Sequence, residues 1–370
     1  MSDLPRVLFV VDAGPSVGGG HVMRSLTLAR ALENEGARCV FLAPPAVTGL
    51  LEAFGPDMAR IAVDEATTAE LAEVAARQAQ AFDAMVIDHY GLLDADHALI
   101  SQIEGALRPG EGRDERKTYR PTLVIDDLAN RPLAADLMLD SGPARRAEDY
   151  DGLLPPRAEL LLGPHYAPVR PAFAALRKAA LARRSQALPV RRILVSLGLT
   201  DVGAITGRVV ELMLPMTGAA TLDVVLGAGA ASLPRLRDLA QAEPRLVLHV
   251  DSQHMPRLTL DADLAVGASG SSSWERCVLA LPTLSLILAD NQRQAAEALA
   301  EADAILALDV AAPGFERAFK TELRRLIDEP LLRDQLSTAS AAVCDGRGAA
   351  RVAERFVALI ATRNPGERSG

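Results

Sequence analysis

The chain has 370 residues, enough for two domains with a core each, and an ordinary soluble balance of 49% hydrophobic and 24% charged residues. A formal net charge of -9 and an aromatic content of 4% speak against a nucleic-acid backbone as partner and against a stacking platform for single strands. Three scattered cysteines without a CxxC pair imply neither a disulfide framework nor a zinc site. No apolar run is long enough for a signal-peptide core or a bilayer span, so the expectation is a cytoplasmic protein with no membrane partner.

In chain order, an apolar strand at 7–11 runs into Asp12, a turn, and the glycines Gly18, Gly19 and Gly20. A helix follows, with Val22, Leu26 and Ala29 on one face and Gly36 placed to end it. A strand, glycine loop and helix let a ligand approach the backbone and offer unpaired N–H groups to an anion. His21 stands at the helix start, where the dipole disfavours an imidazolium and favours a ring able to accept a proton. The bland alternative is a histidine at the edge of the core with no chemistry. Its place at the carboxyl end of a strand, where α/β sheets bind ligands, makes a catalytic role about as plausible.

Further strands are expected at 38–43, 84–88 and 122–126, with a last one in the stretch 160–166 and a charged surface loop at 109–120. A linker with a connecting helix follows at 168–190. A second cycle has strands at 192–197, 221–226, 245–250, 263–267, 283–288 and 304–308, then amphipathic helices over 313–361 and a frayed tail at 364–370. This alternation predicts parallel sheets covered on both faces. The expected plan is an N-terminal Rossmann-like α/β domain over 1–167, the linker, a second Rossmann-like domain over 191–345, and a C-terminal helix and tail over 346–370. Two such domains face each other across a cleft, and the ligand belongs in that cleft.

The second domain offers two candidate anion cradles. Ser196-Leu197-Gly198-Leu199-Thr200-Asp201 closes its first strand; Gly198, Thr200 and Asp201 suit a phosphate contact, or the turn is merely capped by Thr200 or Asp201. Val266-Gly267-Ala268-Ser269-Gly270-Ser271-Ser272-Ser273-Trp274-Glu275-Arg276 places Ser271, Ser272 and Ser273 at a helix start. Glu275 there can accept from a ribose diol, or act as the third residue of a capping box with Ser272. Asn291 and Gln292 suit sugar hydroxyl or acetamido groups, with a plain Asp290 cap as the alternative. In the first domain Asp88-His89-Tyr90 ends a strand toward the same cleft. Asp126-Asp127 follows another, placed to orient a base such as Arg131 or to bind a metal.

No metal site is credited. Asp94-Ala95-Asp96 reads as a helix start, and Asp261-Ala262-Asp263 lacks supporting ligands. A dinucleotide cofactor is excluded on its own terms, because the second strand, Cys39 to Pro44, ends without the acid that would hold a ribose. No cofactor is expected.

Taken in order, several segments resemble the nucleotide-sugar hydrolases of pseudaminic acid biosynthesis, the UDP-2,4-diacetamido-2,4,6-trideoxy-β-L-altropyranose hydrolases, related in fold to GT-B glycosyltransferases of the MurG type. They are Gly18–Arg30, Ile87–Gly91, Asp126–Pro132, Leu162–Arg170, Ser196–Asp201, Gly267–Arg276 and Asn291-Gln292. The resemblance implies a GT-B-like fold and His21 as general base. It also implies a substrate pocket drawing on Asp12, Gly20, Arg24, Tyr90, Asn291 and Gln292, and a UDP site on the second domain at Gly198, Thr200, Asp201, Ser271–Ser273 and Glu275. The partner would be a UDP-sugar, and the freed sugar would feed nonulosonic acids for surface glycans such as those of flagellin. Two positions depart from the family pattern. Val10 stands where an arginine is usual, and Leu199 replaces the second glycine of Gly-Gly-Thr-Asp. A GT-B glycosyltransferase using the same donor and a non-catalytic nucleotide-sugar sensor are the competing readings.

Overall fold

The computed structural model describes residues 4–14, 17–64, 67–102, 119–186 and 188–363. The first half comprises β1 (Arg6–Val11), α1 (Gly20–Asn34), β2 (Arg38–Ala43), α2 (Pro45–Phe54), β3 (Ala59–Ala62), α3 (Thr68–Ala79), β4 (Ala84–Asp88), α4 (Asp94–Ser101), β5 (Thr122–Ile125), β6 (Leu137–Asp140) and β7 (Glu159–Leu162). After α5 (Pro171–Arg184) come β8 (Arg192–Ser196), α6 (Ile205–Met213), β9 (Thr221–Leu226), α7 (Leu233–Ala242), β10 (Leu246–Val250), α8 (Met255–Asp261), β11 (Leu264–Ala268) and α9 (Ser272–Val278). β12 (Thr283–Ile287), α10 (Arg293–Glu301), β13 (Leu306–Asp309), α11 (Phe315–Asp328), α12 (Pro330–Val343) and α13 (Gly348–Arg363) complete it.

Two parallel sheets result, in the orders β3-β2-β1-β4-β5-β6-β7 and β10-β9-β8-β11-β12-β13. Both are doubly wound, with the order reversing between β1 and β4 in one and between β8 and β11 in the other. Ligands of such sheets bind outside the strand carboxyl ends at that reversal. Helices cover both faces, which is why β1, β4 and β11 read as unbroken apolar runs rather than alternating ones. β1 buries Val7, Phe9 and Val11 toward α1 and Leu8 and Val10 toward α3. The fold is GT-B-like: two Rossmann-like units with their strand carboxyl ends toward one another.

Several expectations differ from the structure. β3 and β6 were not foreseen: β3, Ala-Arg-Ile-Ala, is half-exposed and carries no apolar run, and β6, Leu-Met-Leu-Asp, has no β-branched residue to mark it as a strand. The stretch 160–166 forms a strand only to Leu162, since Gly163 and Pro164 turn the chain into a 3₁₀ turn. The connecting helix α5 buries Phe173 and Ala180 in a core shared with Trp274 and Val278, so it is part of the second unit's packing. α13 returns to the first unit, where Val352, Ala353, Phe356 and Ile360 join the core of β1 and α1. The chain therefore crosses between units twice. Most of the charged loop at 109–120 and the tail at 364–370 lie outside the described residues.

Candidate active site

The register of β4 beside β1 sets Asp88 level with Val11, directly under the start of α1. His21, 5% exposed, places Nδ1 2.6 Å from Asp88 Oδ1. Asp88 is fully buried and receives three more donors: Arg24 Nε at 2.7 Å, Arg24 Nη2 at 2.6 Å and Ser25 Oγ at 3.0 Å. Burial works against the charge of Asp88, but Arg24 and then His21 outweigh it and hold the carboxyl well below the usual carboxylate range. An ionised carboxylate only accepts, so the tautomer that fits this contact carries its proton on Nδ1 and presents Nε2 as acceptor. Nε2 makes no hydrogen bond among the described residues and is not one of the sealed, unpartnered atoms. The ring is held by its back, with Nε2 free to accept.

Arg24, expected among substrate contacts, braces its own unit. Its remaining donor, Nη1, bonds Asp127 Oδ2 at 2.9 Å. Burial opposes the charge of Asp127, and Arg24 prevails to hold that acid below its ordinary range. Asp126 takes the other option read from the sequence, accepting Arg131 Nη1 at 2.7 Å and the backbone N–H groups of Leu128 and Ala129. Asp12 is half-buried and lies 3.9 Å from His89 Nε2. With Val10 in the arginine's place and buried in the core, His89 is the base that faces it, and burial lowers the His89 pKa more than Asp12 raises it.

Tyr90 joins the two units. Its ring stands edge-on to His21, centroids 4.5 Å apart. Its hydroxyl donates to Asp127 Oδ1 at 2.5 Å and accepts from Asn291 Nδ2, on the second unit, at 3.2 Å. Burial, then the charge of Asp127, raises the phenol's pKa far above its usual value, so it stays a donor. The glycine loop meets the second unit beside this bridge. A Cβ on Gly18 would lie 3.7 Å from Thr200 Oγ1, one on Gly20 3.5 Å from Ser271 Oγ, and one on Gly19 3.4 Å from the side chain of Leu199. Thus His21, Tyr90, Asn291, Gly18–Gly20, Thr200 and Ser271 converge on one seam. Leu199 fills part of it from the second unit, where the family pattern has glycine.

Not every expected residue reaches the cleft with its side chain free. Asp201 is 1% exposed, and its two oxygens accept from the backbone N–H of Thr206 at 2.8 Å and of Ser232 at 2.7 Å. The capping alternative therefore describes Asp201, because those buried N–H groups need an acceptor. Gly198 has φ +104°, a conformation that favours glycine, and is exposed. Ser273 is 2% exposed, with Oγ 3.4 Å from Ala268 O, whereas Ser271 and Ser272 are half-buried. Oε1 of Glu275 accepts Arg170 Nε at 3.1 Å and Nη2 at 2.9 Å; among the described residues Glu275 makes no capping bond with Ser272 and Oε2 is unbonded. Gln292 turns its carbonyl back to Leu288 N at 3.1 Å. Asp94 and Asp96 start α4 as expected. Asp263 binds Arg183 and the N–H groups of Arg191 and Arg192, at the amino end of the sheet and away from the cleft.

Sequence reasoning missed Asp88 as the partner of His21, Asp127 behind Tyr90, Arg170 on Glu275, and Arg276. The available signal for Asp88 and Asp127 was their place at the carboxyl ends of β4 and β5, the ends that face the cleft.

No family model matches the chain. It is 23% identical over 297 residues to the UDP-2,4-diacetamido-2,4,6-trideoxy-β-L-altropyranose hydrolase of Campylobacter jejuni, across 80% of this chain and 96% of that protein. The relative is of the family to which the motifs pointed. Among solved structures, MurG of Acinetobacter baumannii superposes with a TM-score of 0.63 at 15% identity, covering 96% of this chain and 99% of that one. MnaA of S. aureus, in a co-structure with UDP, gives a TM-score of 0.59 at 14% identity over 97% of this chain and 98% of the other. At these identities the structural likeness speaks for the fold.

Proposed function

We propose that the chain hydrolyses a UDP-linked diacetamido-trideoxy sugar at its anomeric C1–O bond, releasing UDP and the free sugar. The observation that carries this is the His21–Asp88 pair at the seam, with Nε2 unbonded and Tyr90 tying its surroundings to the second unit. The identity to the Campylobacter hydrolase over most of both chains supports the reaction class and the sugar. In the same reading the product feeds pseudaminic acid synthesis.

A water molecule between His21 and C1 forms the new C–O bond and gives one proton to Nε2. The electron pair of the old C1–O bond leaves with the β-phosphate oxygen of UDP. Asp88, kept ionised by Arg24, accepts from Nδ1 throughout and stabilises the imidazolium as it forms. Tyr90, protonated, and Asn291 line the sugar side. On the second unit, Glu275 Oε2 is the free acceptor for a ribose hydroxyl, while the Gly198–Thr200 turn and the Ser271 and Ser272 hydroxyls face the diphosphate. The carboxylate of Asp201 is left out of this set because it is consumed by backbone N–H groups.

Incubation with UDP-sugars and no acceptor is the decisive experiment. UDP release in water supports the hydrolase. Release only when an acceptor alcohol is added makes the protein a transferase, and binding without release makes it a sensor. His21→Asn is expected to lower kcat by about 10²–10⁴-fold with little change in KM. Wild-type turnover in that variant would remove His21 as the base.

A further inference from the structure

Arg276 lies on α9 beneath the turn from Ala268 to Ser273 and is 3% exposed. Its guanidinium packs flat on Gly267, where an added Cβ would come within 2.6 Å of Cζ, so only glycine leaves the room. Nη1 donates to Ser272 Oγ at 3.0 Å, and Nη2 donates to Ala268 O at 2.7 Å and to Ser273 Oγ at 3.0 Å. Nε is buried without a partner. Among the described residues no carboxylate is hydrogen-bonded to Arg276; the charge of the adjacent Glu275 acts on it, more weakly than burial does, and that carboxylate is bonded to Arg170. Burial lowers the Arg276 pKa to about 10, which still leaves the side chain cationic at neutral pH.

Other arginines that, among the described residues, donate to carbonyls and pair with no carboxylate show why this one is different. Arg184 donates to the carbonyls of Thr259, Leu260 and Ala262 at the end of α8, and Arg333 to those of Leu326 and Ile327 at the end of α11. The negative ends of those helices answer the charge. Arg276 has one strand carbonyl and two hydroxyls. A buried cation bonded to no counter-charge is costly, and an anion arriving from outside relieves that cost.

The hydroxyls also have a defined polarity. An oxygen that accepts from a guanidinium must point its own hydrogen elsewhere. For Ser273 that hydrogen reaches Ala268 O at 3.4 Å, whereas the Ser272 hydrogen has no acceptor among the described residues. Ser271, facing Gly20 across the seam, has no side-chain hydrogen bond among them either.

We propose that Arg276 is a positioning residue for the diphosphate of the bound nucleotide: a buried cation bonded to no carboxylate that turns the Ser272 hydroxyl into a donor aimed at the anion. This rests on the reading that UDP occupies the second unit.

The test compares UDP with uridine by titration calorimetry on the full chain. Arg276→Gln is expected to weaken UDP by about 10–100-fold and to leave uridine unchanged, while Arg276→Lys keeps most of the UDP affinity. If Arg276→Gln does not fold, Arg276→Lys and Ser272→Ala decide the matter. The lysine variant should stay near wild type, and the alanine variant should lose several-fold for UDP alone. Equal losses for UDP and uridine, or no loss for UDP in either test, overturn the role of Arg276. Wild-type protein that binds UDP no better than uridine overturns the UDP site itself, and this role with it.

Discussion

On the first unit's lip of the cleft, the buried carboxylates of Asp88 and Asp127 share one cation, Arg24, and are completed by hydrogen bonds from His21, on Asp88, and Tyr90, on Asp127. On the second unit's lip Glu275 is paired with Arg170, but Arg276 faces only hydroxyls and a carbonyl. The same architecture thus carries two electrostatic designs. A network closed on itself fixes one ring in one tautomer, which suits a base. A lip with surplus positive charge is completed by an incoming anion, which suits a nucleotide diphosphate.

The largest expected effect breaks the first lip. Asp88→Asn removes the acceptor that sets the His21 tautomer and takes a counter-charge from Arg24. On the proposed reading, kcat for UDP release should fall by about 10⁴-fold while UDP affinity, assigned there to the other lip, holds. A variant with undiminished kcat would dissolve the pair as a catalytic unit.

The first unit should also be the acid-sensitive one. His97 is fully buried on α4 with neither ring nitrogen hydrogen-bonded, and burial pushes its pKa down from 6.5 to about 4. Between those values the unfolded chain binds the extra proton, so stability falls as pH drops below about 6.5 and levels off near 4. The contribution is on the order of 3 kcal/mol at most. His97→Leu should flatten that part of the profile of Tm against pH; an identical slope in variant and wild type would contradict it.

Breaking the second lip should move affinity instead. Glu275→Ala is expected to weaken UDP by roughly tenfold with kcat nearly kept, and to erase the preference for UDP over 2′-deoxy-UDP. If that preference survives, the ribose is held elsewhere. The smallest effect belongs to the bridge between lips. Tyr90→Phe removes the bonds to Asp127 and Asn291 and should cost about 3–10-fold in kcat/KM. Steady-state rates that match wild type would show the bridge to be idle in turnover.

How far the sequence is legible follows from how local each feature is. β1, β4, β8, β9 and β11 are apolar runs bounded by turns, visible because both faces of each sheet are covered. β3, half-exposed at a sheet edge as Ala-Arg-Ile-Ala, has no apolar run, and β6, a buried Leu-Met-Leu-Asp, lacks the β-branched residues that mark the equally short β5. The glycine loop exposed His21 for the same local reason: three glycines between a strand and a helix mark a close approach. Asp201 shows the opposite case. A turn aspartate reads equally as ligand or cap, and only the arrival of Ser232 N, 31 residues away, decides for the cap.

From the sequence alone came the two parallel-sheet units, the strand ends that form the cleft, and the histidine at its first helix, because strand runs, glycine turns and helix starts are short-range patterns. The tertiary structure alone decided that Asp88 lies behind His21, 67 residues apart, and that Arg170 holds Glu275, 105 residues apart. It likewise decided that Arg276 bonds no carboxylate among the described residues and that α13 returns to the first core. Those pairings depend on which strands become neighbours and in what register, and no stretch of chain shorter than the whole sheet contains that information.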